Sequence, residues 1–98
     1  MPAYISLVNF TEQGVKNVKG TVERTQAVKK AAEAAGGRVI GVWWTLGQYD
    51  LVLISEGPDD ITAARLVLAA AMQGNTRSIT MRAFSEEEMA RIVAGLPG

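Results

Sequence analysis

RVIGVWWTLGQYDLVLISE, Arg38 to Glu56, is the stretch whose reading decides the fold. Two runs rich in β-branched and aromatic residues, Arg38 to Leu46 and Leu51 to Glu56, flank the short interruption Gly47-Gln48-Tyr49-Asp50, which is the pattern of two strands joined by a tight hairpin. Gly47 at the first position of a two-residue loop suits a type II′ turn, which needs positive φ there. That register sets Leu46 opposite Tyr49, Thr45 opposite Asp50, Trp44 opposite Leu51 and Trp43 opposite Val52. Strand neighbours point to opposite faces, so Trp43, Thr45 and Asp50 share one face while Trp44, Leu46, Tyr49, Leu51 and Leu53 share the other. The second set is the more apolar and is expected to face helices. A slip of one residue would exchange the two faces.

Working outward, Ala3 to Phe10 alternates with period two and reads as a first strand. A polar stretch, Thr11 to Gly20, allows a short helical turn. Apolar residues then recur at Val18, Val22, Thr25, Val28, Ala32 and Ala35 in steps of three and four, marking a helix that closes at Gly36-Gly37. Gly57-Pro58 ends the third strand, and Asp59 or Asp60 caps a helix from about Ile61 to Met72 that Gly74 stops. That acid pair is read as a cap before it is read as a metal site. Thr76 to Phe84 is the last strand. Ser85-Glu86-Glu87-Glu88 is a capping box opening a terminal helix, with Met89, Ile92, Val93 and Leu96 as its expected buried stripe. The order βαββαβα is the split βαβ, ferredoxin-like α+β arrangement: one domain over residues 1–98, a four-stranded antiparallel sheet in order 4-1-3-2, and helices on one face.

Such a sheet has one face its helices leave bare. Trp43 and Trp44 are adjacent, so one of them must lie there. Tyr4, Val8, Phe10 and Phe84 belong to the more polar alternation sets and are assigned to the bare face with it, because Ile5, Leu7, Ile79 and Met81 make better partners for helices. An apolar patch of that size marks an interface. The Ile61 to Met72 helix has Arg65 as its only charge inside a nearly all-apolar surface, the pattern of a helix buried on two sides. The expected partner is a second copy of the chain, in an obligate homodimer or higher homo-oligomer.

Composition removes most familiar chemistry. The chain has no cysteine and no histidine, so disulfides, thiolate nucleophiles, Cys/His zinc sites, His-ligated haem and Ser-His-Asp triads are excluded together. Ten basic residues balance ten acidic ones, giving no basic field for nucleic acid. No apolar run approaches membrane-spanning length, and the start of the chain lacks a secretory pattern, so a cytoplasmic location is expected. Arg24, Lys29, Lys30 and Arg91 read as solvated helix faces. Gly36-Gly37 lacks phosphate-loop spacing, and no cofactor is expected.

Three blocks, YISLVNFTEQGVKNVK (Tyr4 to Lys19), TLGQYDLVLISEGPDD (Thr45 to Asp60) and QGNTRSITMRAFSEEE (Gln73 to Glu88), resemble the GYD domain family within the dimeric α/β-barrel superfamily. The naming motif falls on Gly47, Tyr49 and Asp50. The resemblance implies ferredoxin-like protomers whose sheets pack face to face, and it implies no generally assigned activity. The reading adopted is a non-enzymatic module that binds a small metabolite or assembles proteins. Its ligand site is expected near the hairpin, where Tyr4, Trp43, Thr45, Asp50 and Arg82 would converge on the bare face, with Gly47 and Tyr49 of the turn beside them. The ligand is expected to be small and anionic or aromatic, Arg82 favouring an anion, and Asp50 either bonds its own turn or pairs with Arg82. The alternative, suggested by cofactor-independent monooxygenases of the antibiotic-biosynthesis type, is an oxygenase or isomerase with Asn9, beside a helix-facing Trp44, stabilising a developing enolate.

Overall fold

A computed structural model describes all 98 residues. Its strands are β1 (Ala3–Phe10), β2 (Arg38–Trp44), β3 (Leu51–Glu56) and β4 (Thr76–Ala83), and its helices are α1 (Glu12–Lys16), α2 (Thr21–Ala34), α3 (Asp60–Met72) and α4 (Glu86–Ala94), with a 3-10 turn at Val18–Gly20. The sheet is antiparallel in the order β2-β3-β1-β4, the arrangement expected from the sequence. The stop and start signals act as read. Gly36 and Gly74 take positive φ after α2 and α3, Asp59 caps α3 by accepting from the Thr62 N–H at 2.8 Å, and Ser85 with Glu88 forms a full capping box.

The hairpin register is also as read, with Trp43 opposite Val52, Trp44 opposite Leu51, and the Thr45 N–H donating to the Asp50 carbonyl at 2.9 Å. Its tip is looser than a two-residue turn. β2 ends at Trp44, Gly47 adopts φ +109°, and Leu46, expected to face the helices, projects wholly into solvent. A bulge between Val39 and Gly41 carries Ile40 as the extra residue. Trp43 folds back over Gly41, where any Cβ would lie 2.4 Å from the indole.

The faces of β1 and β4 are the reverse of the sequence expectation. Tyr4, Ser6, Val8 and Phe10 of β1, with Ser78 and Thr80 of β4, face α2 and α3. Ile5, Leu7, Ile79 and Met81 lie on the uncovered face beside Trp43, Val52 and Ile54. The polar floor is tolerated because its groups pair: Ser6 and Thr80 hydroxyls meet at 2.9 Å, and the Tyr4 hydroxyl donates to Asp60 Oδ1 at 2.5 Å. The rule that the greasier set faces the helices fails for a sheet whose second face is itself apolar.

As a lone protomer the chain has little core. Only 7 of 98 residues are buried, and no large side chain is fully enclosed. The radius of gyration is 14.9 Å, against about 13 Å for a compact domain of this length. The expected stripe of α4 is not buried: Met89, Ile92, Val93 and Leu96 are all exposed. α3, expected to be buried on two sides, lines the interior with Ala63, Leu66, Val67 and Ala70 and leaves Ile61, Leu68 and Met72 exposed.

Candidate functional site

The space between sheet and helices is a cavity of about 240 Å³. Its floor is the inward set of β1, β3 and β4; its roof is Thr25, Val28, Ala31 and Ala32 of α2 and Ala63, Leu66, Val67 and Ala70 of α3. Alanines dominate the facing helix surfaces, and side chains this small leave the layer unfilled. Arg24, read from the sequence as a solvated helix residue, lines this cavity. Its Nη1 donates to the Asn17 carbonyl at 2.8 Å, while its Nη2 is buried without a partner. Helical spacing alone could have found it, since Arg24 adjoins Thr25 and lies four residues before Val28 on the inward side of the helix.

The sequence-predicted site does not converge. β3 runs antiparallel to β1, with Ala3 opposite Glu56 and Val8 opposite Leu51, so the hairpin that precedes Leu51 lies beside the end of β1, not its start. Tyr4 and Arg82 are direct neighbours at the opposite end of the sheet. They share the helix side, whereas Trp43 stands on the uncovered face. Arg82 does not meet Asp50. Its guanidinium bonds Glu88 Oε2 at 3.2 Å and the Ala83 carbonyl, and lies 4.6 Å from the centre of the Phe84 ring. Glu88 is held below the usual carboxylate range by the Ser85 N–H first and by Arg82 second.

The hairpin residues form a latch. Asp50 Oδ2 accepts from the Phe10 N–H at 2.9 Å, the Asp50 N–H donates to the Val8 carbonyl at 2.9 Å, and the Thr45 hydroxyl donates to the Tyr49 carbonyl at 2.6 Å. Gly47 supplies the positive φ at the tip, in open space. The two Asp50 bonds continue the ladder between β1 and the hairpin past the last regular pair, which explains why an aspartate is wanted at position 50. Trp44 faces the helices as expected and donates its indole N–H to Thr21 Oγ1 at 3.1 Å. Asn9 does not join it: it pairs with Arg77, and its alternation places it on the uncovered face, across the sheet from the cavity. The enolate-stabilising role therefore has no geometry to support it.

Tyr4 is the most perturbed titrating group. Burial, then the hydrogen bond and charge of Asp60, push its phenol up to about 12. The raised value favours the neutral phenol in the folded chain, so its contribution to stability is complete below pH 10 and is lost as pH rises through 12. The melting temperature of the wild type is expected to fall more steeply over that interval than that of Tyr4→Phe. Equal slopes in a differential scanning calorimetry series would show that the phenol is not held in this way.

A family model of the GYD domain matches residues 4–93. The chain is 33% identical over 84 residues to a protein of Thermus thermophilus named glutamine synthetase and cystathionine beta-lyase binding protein, across 85% of this chain and 88% of that one. The crystal structure of TTHA0845, also from Thermus thermophilus, superposes with a TM-score of 0.53 at 23% identity, covering 87% of this chain and 95% of that chain, a likeness of fold. No helix is long and apolar enough to cross a membrane.

Proposed function

The chain belongs to the GYD domain family, and on that premise we propose that it is a non-enzymatic binding and assembly module, homo-oligomeric through its uncovered sheet face and docking partner proteins on its helices. The observation that carries this reading is the apolar sheet face: Trp43 and Ile79 are each 54% exposed, with Met81, Ile5, Leu7, Val52 and Ile54 beside them. A patch of that kind is rarely left to water by a monomer. The thin core and extended dimensions of the protomer fit a chain completed by a second copy, in an isologous pairing of two sheets. Once the sheets pair, the exposed apolar stripes of α3 and α4 remain for further contacts. The relative's name makes metabolic enzymes of the glutamine synthetase and cystathionine beta-lyase kind the first partners to test.

The test is size-exclusion chromatography with light scattering, on the chain alone at micromolar concentration and then mixed with each enzyme. The expected result is a dimer or a multiple of it that co-elutes with at least one enzyme. A monomer that co-elutes with neither would remove the reading.

A further inference from the structure

The cavity and the guanidinium at its wall play no part in the association just described, which uses the other face of the sheet. Arg24 is the only charged residue among the 25 that line the cavity. A guanidinium keeps its charge and presents its donors in a fixed fork. With Nη1 taken by the Asn17 carbonyl, Nη2 is buried with no acceptor within hydrogen-bonding distance. A buried unmatched donor on a cation is costly, and a bound anion is what would relieve it. Most of the remaining wall is apolar: 15 of the 25 lining residues are hydrophobic. The volume of about 240 Å³ lies below the range of drug-sized pockets.

We propose that this cavity binds a small organic carboxylate with an apolar body, such as a medium-chain or aryl-alkanoic acid, one per protomer. The carboxylate pairs with the Arg24 guanidinium, whose reorientation lets its unmatched Nη2 donate to the anion, and Val8, Val28, Leu51, Leu66 and Val67 enclose the hydrocarbon. The single positive charge of the guanidinium matches a single negative charge. A phosphate dianion would want a second cation or a nest of backbone N–H groups, and Arg24 is the only cation lining the cavity.

The probes are octanoate, octan-1-ol and octylamine, which share a chain and differ in charge. In isothermal titration calorimetry, octanoate is expected to bind the wild-type chain at one per protomer and ~10-fold or more tighter than octan-1-ol, with octylamine weakest. Arg24→Gln is expected to erase the preference for octanoate, and Ala70→Phe, which places a ring in the cavity, to block all three. Equal affinity for octanoate and octan-1-ol, or no uptake of either at millimolar concentration, would overturn the proposal; both are read on the wild type, so misfolding of a variant cannot obscure them. Sedimentation of the same samples separates the two readings: octanoate binding by a monomer would support this inference and remove the association.

Discussion

Ile79→Glu is expected to dissociate the homo-oligomer while leaving the protomer folded. Ile79 lies on β4 opposite Leu7, on the uncovered face, and is more than half exposed in the single chain, so a carboxylate there stays hydrated as long as the protomer is alone. Pairing two sheets would bury it without a cation of its own, a cost of about 3–5 kcal/mol for an unmatched buried charge. In an isologous interface the substitution occurs twice. The dimer dissociation constant is therefore expected to rise by at least ~100-fold, measured by sedimentation equilibrium, with an unchanged far-ultraviolet circular dichroism spectrum. Leu46→Glu, at the solvated hairpin tip, serves as the control and is expected to leave assembly intact. If Ile79→Glu assembles normally and Leu68→Glu on the exposed side of α3 does not, the interface is on the helices and the sheet-face reading fails.

The same residues show why the fold was legible in the sequence while part of its inside and outside came out reversed. Hairpin faces were legible because the turn fixes the register within a few residues: Trp44 and Leu51 point to the helices as read. β1 is joined to β3 by no short turn, so its register with β3 is set by long-range packing, and the pairing of Val8 with Leu51 is what carries the hairpin's orientation across to Tyr4, Ser6 and Val8. Without that link, hydrophobicity was the only guide. It pointed the wrong way, because the more apolar set of β1 and β4 lies on the uncovered face, while the more polar set faces the helices with its hydroxyls paired. The convergence of Tyr4, Arg82 and Asp50 failed for a related reason: strand direction puts the hairpin beside Phe10, and Glu88, a residue already engaged in the capping box, takes the Arg82 charge. α4 carries the same lesson in one dimension, since periodicity reveals an apolar stripe and is silent on what it packs against.

Gly14→Ala is expected to be the most damaging conservative change in the chain, and local rules predict the opposite sign. Gly14 sits within α1, where replacing glycine by alanine ordinarily stabilises a helix by about 0.5–1 kcal/mol. Here α1 presses its backbone against the turn between α3 and β4: a Cβ on residue 14 would fall 1.9 Å from the Asn75 carbonyl oxygen and 2.9 Å from its carbon, both backbone atoms that no rotamer change can move. Relief requires shifting α1 off that turn. Such a shift would break the Thr11 N–H bond to the Asn75 carbonyl at 3.0 Å, the Thr11 hydroxyl bond to the Gly74 carbonyl at 2.6 Å and the two Gln13 amide bonds to Gln73 and Asn75. Forced overpacking with loss of such a network costs about 2–4 kcal/mol, a fall of ~10–25 °C in melting temperature for a domain of this size. Gly47→Ala meets no atom and suffers only its positive φ, so its loss is expected to be about 1 kcal/mol. Thermal melts of the two variants side by side decide the matter: a Gly14→Ala chain as stable as wild type would mean that α1 does not dock against Asn75 as described, whereas a loss several times that of Gly47→Ala would place the contact, rather than backbone freedom, as the reason for glycine at position 14.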